Sequence, residues 1–159
     1  MQTYIATTNN LEETIALGEK VGFKLRGGEI LEFSSDLGGG KTSFIRGLAK
    51  GFGSPDPVAS PSFTISYVYS RPDAKQLHHF DFYRLQDGGI VANELAEVVG
   101  DPNIVVALEW GEIVHTVLPS QKLLITIKVL SENSRHITFI FPDSYDYLFK
   151  DLPATGDSL

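Results

Sequence analysis

The spacing of apolar residues along the chain predicts three helices. In the segment 11–21 the apolar residues Leu11, Ile15, Leu17 and Val21 indicate a helix, and Asn10 precedes them as a candidate N-cap. The segment 42–52 places its apolar side chains near one face, which indicates a second amphipathic helix. The segment 90–99 carries a weaker pattern of the same kind.

Alternating or continuous apolar runs predict the strands. The run "NIVVALEW" is nearly unbroken, as expected for a strand that is buried on both faces. Two late β-rich runs flank the polar turn Ser131–Ser134 and predict an antiparallel hairpin. The predicted strands are 29–33, 63–70, 76–85, 103–110, 122–130 and 135–141. Strands interleaved with helices predict an α/β domain with a mixed sheet.

Composition and charge narrow the class of protein. The chain has 159 residues, of which 42% are hydrophobic and 21% charged, as in an ordinary globular domain. It has no cysteine, no apolar run long enough to span a bilayer and no signal-peptide pattern, so we expect a cytoplasmic protein without a membrane role. The net charge of −7 argues against direct binding of nucleic acid, because such proteins normally neutralise phosphates with a basic surface.

The stretch "FSSDLGGGKTSF" (residues 33–44) ends like a phosphate-binding loop. The usual G-x-x-x-x-G-K-[ST] pattern has a glycine where this chain has Ser35. A predicted strand before it and a helix after it supply the context that such a loop requires. Lys41 would then reach the β- and γ-phosphates and the Thr42 hydroxyl would bind Mg²⁺. An ordinary glycine turn before a helix is the alternative.

Two acidic residues are candidates for the metal and the attacking water. Glu109 closes the apolar run, and Asp81 lies within "HHFDFYRL". A solvated strand end is the alternative for Glu109. For Asp81 the alternative is a carboxylate that is exposed at a sheet edge or paired with a cation such as Arg84. The adjacent histidines in "HHFDFYRL" do not predict a zinc site, because neighbours in a strand face opposite sides and no further ligand cluster is evident. The only tryptophan, Trp110, fits core packing as well as a role beside the acid.

Four segments in this order resemble the bacterial TsaE family, also called YjeE. They are "DLGGGKTSFIRGL" (36–48), "SPSFTI" (60–65), "HFDFYRL" (79–85) and "EWGE" (109–112). The resemblance implies a single-domain, P-loop NTPase-like three-layer α/β fold with a mixed, mainly parallel central sheet and a C-terminal antiparallel hairpin. We expect the domain to span 1–152, followed by a flexible tail at 153–159.

The resemblance also implies a function. TsaE proteins are ATPases of tRNA threonylcarbamoyladenosine synthesis, which modifies tRNAs that read codons beginning with A. The resemblance implies two partner proteins, TsaD and TsaB, of which TsaD carries out the transfer. The ATPase is expected to bind this pair and reset it between turnovers, and tRNA is expected to contact it only indirectly, through the complex. ATP and Mg²⁺ are the implied cofactors, and hydrolysis is expected to be weak without the partners.

Site residues follow from the resemblance position by position. The phosphate-lining residues are Asp36, Leu37, Gly38, Gly39, Gly40 and Lys41. Thr42 and Glu109 are implied to hold Mg²⁺, while Asp81, Glu109 and Lys41 form the implied catalytic set. Which of the two acids positions the attacking water stays open. The base is implied to lie near Leu11, Ser134 and Arg135.

The chain departs from the family pattern at Ser35, at Ser62, where the family usually has threonine, and across 88–100. Two other classes of function remain as alternatives. One is a nucleotide-sensing module that controls assembly by ATP occupancy rather than hydrolysis. The other is a free-standing small-molecule kinase, against which the sequence shows no arginine-rich lid.

Overall fold

A seven-stranded mixed sheet runs through the protein in the computed structural model, which describes residues 1–35, 38–55, 66–83 and 89–153. Its strands are β1 (Gln2–Thr8), β2 (Ile30–Ser35), β3 (Ser66–Ser70), β4 (Gln76–Asp81), β5 (Ile104–Glu109), β6 (Leu123–Val129) and β7 (Arg135–Phe141). The α-helices within these ranges are α1 (Leu11–Lys24), α2 (Lys41–Phe52) and α3 (Gly89–Val98). Short 3₁₀ helices cover Gly111–Val117 and Asp143–Leu148.

The strand order is β1-β7-β6-β2-β5-β4-β3. The four central strands β6, β2, β5 and β4 pair in parallel. The edges are antiparallel, with β7 and then β1 beyond β6, and β3 beyond β4. The predicted mixed sheet with a parallel centre and a C-terminal hairpin is therefore confirmed.

Helices cover both faces of this sheet. Along β5, Val105 and Ala107 join the core cluster that contains α1 and α2. Val106 and Leu108 point the other way, into a cluster with α3 and the first 3₁₀ helix. This alternation, with apolar residues on both sides, explains why the run read as a doubly buried strand. The result is the predicted three-layer architecture.

Four glycines allow α1 and α2 to pack at very short range: Gly18, Gly22, Gly47 and Gly51. A Cβ atom added at Gly47 would lie 2.0 Å from the carbonyl oxygen of Ile15. Gly18 faces Phe44 and Gly22 faces Leu48, so the two helices run in the same direction. Their N-termini therefore lie at the same end of the sheet, beside the phosphate-loop glycines.

Several element boundaries differ from the predictions. Helix α1 continues to Lys24 instead of ending at 21, and β2 continues to Ser35 instead of ending at 33. Strand β1 was not predicted, and neither were the 3₁₀ helices. Strand β4 ends at Asp81, earlier than predicted. The predicted N-cap is confirmed, since Asn10 Oδ1 accepts a hydrogen bond of 2.8 Å from the Glu13 N–H. Within the described ranges, no helix has the length and apolar character needed to cross a membrane.

Candidate nucleotide and metal site

Two glycines of the loop adopt backbone angles that a residue with a side chain rarely adopts. Gly38 has φ of 76° and Gly40 has φ of 100°, both in the left-handed region. Gly40 is the N-cap of α2, whose first residue is Lys41. The first backbone N–H groups of α2 and the positive end of its dipole therefore lie at this loop, as an anion site requires.

Ser35, where the usual pattern has glycine, is the last residue of β2 and pairs with Ile127 of β6. It lies in extended strand backbone, a conformation that any residue adopts. The departure at this position therefore does not disturb the geometry of the glycines that follow.

Both candidate carboxylates stand at the carboxyl ends of adjacent parallel strands. Asp81 ends β4, Glu109 ends β5, and the two are partners in the strand register. Along β4, His79 and Asp81 are two residues apart and so share the face that carries α1 and α2. Glu109 shares that face with Ala107, by the same alternation along β5. The topology thus aims three polar side chains at the start of α2.

A buried chain of polar groups joins Lys41, Glu109 and His79. Lys41 Nζ lies 3.5 Å from Glu109 Oε1, and His79 Nε2 lies 2.9 Å from Glu109 Oε2. The three residues are 8%, 5% and 1% exposed. The alternative of a solvated strand end for Glu109 is wrong, because its carboxylate is buried and has a partner on each oxygen.

Asp81 is half-buried beside this chain. Its Oδ1 accepts a hydrogen bond of 3.0 Å from the Tyr83 N–H. Burial raises the pKa of Asp81 above its ordinary value; the Tyr83 hydrogen bond opposes this rise, and the charge of Glu109 adds to it. A carboxyl group with a raised pKa in a cleft is a candidate for proton transfer or for positioning water.

One cavity of about 270 Å³ collects these groups. Its lining comprises Gly38, Gly39, Gly40, Lys41, Thr42, Asp81, Tyr83, Glu109 and Trp110. The predicted metal pair and the predicted catalytic set therefore lie together around a single space at the start of α2.

Trp110 forms one wall of this cavity. Its ring centroid is 5.1 Å from that of Tyr83 and 4.9 Å from Lys41 Nζ, which lies over the ring. The backbone of Trp110 is in the left-handed region, with φ of 62°, where the chain turns out of β5. The residue also packs against the core cluster of α3. Trp110 therefore both packs in the core and lines the cavity.

A second cavity of about 200 Å³ shares Gly40 with the first. Leu11 and Arg135 line it, together with the hairpin-turn residues Glu132 and Asn133. Arg135 Nε donates a 3.0 Å hydrogen bond to the Gly39 carbonyl. Its Nη1 donates to three carbonyls of the turn, among them that of Ser134. The structure thus brings the predicted base-contacting regions to the glycine loop.

Sequence reasoning missed the roles of His79 and Tyr83. His79 stands two residues before Asp81, so strand alternation alone placed both on one face. Its contact with Glu109 depends on which residues of two separate strands lie opposite each other, and neither strand's sequence alone gives that pairing. Asp36, Leu37, Arg84 and the segment 60–65 lie outside the described residues.

The comparisons with known proteins agree with this fold. The model of the family "Threonylcarbamoyl adenosine biosynthesis protein TsaE" matches residues 8–137. The crystal structure of YdiB from Bacillus subtilis superposes with a TM-score of 0.73 at 30% identity, covering 95% of this chain and 94% of that one.

Proteins named "tRNA threonylcarbamoyladenosine biosynthesis protein TsaE" are similar over nearly the whole chain. The protein from Bacillus subtilis is 34% identical over 148 residues, which are 91% of this chain and 90% of the relative. The protein from Treponema pallidum is 34% identical over 135 residues, which are 82% of this chain and 96% of the relative. The chain belongs to the TsaE family.

Proposed function

We propose that this protein binds and hydrolyses ATP and that its cycle supports threonylcarbamoyladenosine modification of tRNAs that read codons beginning with A. The names of the relatives support the pathway. One observation carries the ATPase activity: a single cavity joins the loop glycines, the helix N-terminus at Lys41 and the carboxylates of Asp81 and Glu109. Phosphoryl transfer needs backbone N–H donors, a cationic side chain such as Lys41, and acidic groups around one space.

The phosphates would lie on the loop from Asp36 to Lys41. The positive φ angles of Gly38 and Gly40 support this, since they let successive N–H groups converge. Around a Cβ position on Gly38, no atom of the described residues lies within 4 Å, so there is room for a ligand. When a nucleotide binds, the Lys41 ammonium would leave Glu109 and contact phosphate oxygens. The carboxylate and the phosphate are both anionic, and the flexible Lys41 side chain reaches both.

The residues present fit Mg²⁺ that arrives with a nucleotide. Among the described residues, no group of three His, Cys, Asp or Glu side chains forms a metal cage. Thr42 and Glu109 instead offer two oxygen ligands at the cavity, and Mg²⁺ typically takes one or two protein groups plus phosphates and water. When bound, the ion would neutralise charge that develops on the phosphates.

Asp81 is the residue that we assign to positioning the attacking water. It is half-buried at the cavity wall, whereas Glu109 is assigned to Mg²⁺ and has one oxygen held by His79. For the base, the second cavity supports contacts with Leu11 and Arg135, and the adjacent Ser134 belongs to the same turn.

TsaD and TsaB are the proposed partners, in the cytoplasm, and they would hold the tRNA. The net charge of −7 supports indirect contact, because a strongly acidic protein repels a polyanion. Nothing in this proposal requires a membrane.

The decisive experiment measures ATP turnover by the purified protein, alone and with TsaD and TsaB. We expect slow hydrolysis alone, faster hydrolysis in the mixture, and loss of both rates in Glu109→Gln. Failure to bind ATP in the presence of Mg²⁺ would contradict the proposal.

A non-hydrolysable ATP analogue in the same mixture separates hydrolysis from occupancy. If the analogue supports repeated rounds of tRNA modification, the protein acts as a nucleotide-sensing module. Phosphate transfer from ATP to a small acceptor by the pure protein would instead show a kinase.

A further inference from the structure

His79 is the most buried polar group at the site, and the proposed function gives it no task. It is 1% exposed and lies under the cavity, on the strand that carries Asp81. Its Nε2 contacts Glu109 Oε2 at 2.9 Å. In the part of the chain that the structure describes, its Nδ1 has no hydrogen-bond partner.

The Glu109 contact determines which ring nitrogen carries the proton. An ionised carboxylate only accepts hydrogen bonds, so Nε2 must donate. Among the described residues no hydrogen-bond partner faces Nδ1, which agrees with a ring that carries its proton on Nε2. The opposite tautomer would set the Nε2 lone pair against the carboxylate and also bury an unpaired N–H.

We propose that His79 is the positioning residue of Glu109: its Nε2–H holds Oε2, so that Oε1 faces Lys41 and the cavity. The consequence is that His79 controls the affinity of the site for Mg²⁺ together with ATP. This consequence rests on the proposed function. His79 meets neither the nucleotide nor the metal itself.

The strand geometry explains why this arrangement is rigid. His79 stands opposite Ala107 in the parallel register, one side-chain step below the Asp81–Glu109 pair. Its ring therefore reaches diagonally along the face to Glu109, and the surrounding core leaves it little freedom. Groups that orient a metal-binding carboxylate in this way commonly change metal affinity by ten- to a hundredfold when they are removed.

The test compares two dissociation constants, for ATP in EDTA and for ATP in excess MgCl₂, both followed by the fluorescence of Trp110. The gain in affinity from Mg²⁺ is the ratio of the constant in EDTA to the constant in MgCl₂. In His79→Leu we expect this ratio to fall about tenfold. The constant in EDTA should change less than about threefold. His79→Gln, whose amide nitrogen can donate near the Nε2 position, should restore the gain, whereas His79→Asn should not.

His78→Leu is the matched control. His78 is the neighbouring residue but lies on the other face of the sheet, where it contacts Gln76 and Phe80. It should behave like the unmodified protein. Equal loss of affinity with and without Mg²⁺ in His79→Leu would show a merely structural role and would overturn the proposal.

The tautomer is measured separately by NMR of the histidine ring nitrogens in the full-length protein. We expect a proton on Nε2 of His79, with nitrogen shifts that change in Glu109→Gln. An Nε2 without a proton overturns the proposal even if every His79 variant fails to fold. If the unmodified protein binds no ATP, the proposed function fails, while the tautomer still decides whether His79 holds Glu109.

Discussion

Lys41 and Glu109 form a buried ion pair, with Nζ 3.5 Å from Oε1, at the point where a nucleotide phosphate and its metal would separate them. The two charges that the proposed reaction needs therefore stabilise each other within the fold. Their burial means that neither is well solvated when its partner is removed.

We expect Lys41→Met to lower the free energy of unfolding by about 1–3 kcal/mol, because Glu109 loses its counter-charge. It should also abolish ATP binding. The double variant Lys41→Met with Glu109→Gln should recover most of the stability and none of the binding. Urea denaturation of the four proteins of this cycle measures the coupling, and strictly additive losses would argue against a stabilising pair.

Replacing Asp81 should increase stability while it lowers activity, unlike the loss of Lys41, which should lower both. Burial and the charge of Glu109 raise its pKa, so its ionised form is less favoured in the folded protein than in the unfolded chain. Asp81→Asn should therefore increase the free energy of unfolding at pH 7.5, and the gain should shrink as the pH falls towards about 4. The Asn oxygen can still accept from the Tyr83 N–H.

In the same variant, the partner-stimulated ATPase rate should fall on the order of a hundredfold. Denaturation curves at several pH values and a coupled phosphate assay provide the two measurements. An unchanged stimulated rate would refute the assignment of Asp81.

Arg135 should support nucleotide affinity through the loop rather than through charge alone. Its Nε donates to the Gly39 carbonyl while Nη1 holds the hairpin turn. Arg135→Lys keeps the charge but loses this fork, so we expect both it and Arg135→Ala to weaken ATP binding roughly tenfold. Calorimetric titration with ATP measures the effect. Lys128→Ala, an exposed change on the same hairpin, should leave the affinity unaltered.

Gly47→Ala should damage both the fold and the site. The added methyl would meet the Ile15 carbonyl at 2.0 Å, so the helices must separate. We expect a loss of about 1–3 kcal/mol despite the better helix propensity of alanine. ATP affinity should also fall, because α1 carries Leu11 to the second cavity. Arg46→Ala, on the exposed side of α2, should change stability by less than about 0.5 kcal/mol in thermal denaturation.

Ser35→Gly should change ATP affinity by no more than a few-fold. Residue 35 lies in regular strand backbone, and the left-handed angles belong to Gly38 and Gly40. Isothermal titration of the variant tests this, and a hundredfold change would reveal a role for the serine that the strand geometry does not explain.

The resemblance to TsaE proteins implied the parallel centre of the sheet, and the sequence predicted β5 as a doubly buried strand from its apolar run. It did not predict β1, whose buried face carries Tyr4, Ala6 and Thr8, too small and polar a set to give a clear alternation. The acids and the glycine loop were predictable from residue type and order. The contact between His79 and Glu109 was not, because it joins residues 30 positions apart through strand register.

The pairing of β1 with β7 has a consequence for synthesis on the ribosome. Residues 2–8 are made long before residues 135–141, with which they pair. Until that segment has left the exit tunnel, β1 lacks its neighbour and the outer side of β6 is uncovered. Arg135, which fastens the glycine loop, arrives with the same strand. We expect growing chains to lack a finished nucleotide site until residues 135–141 have left the tunnel, so shorter nascent chains should not bind ATP.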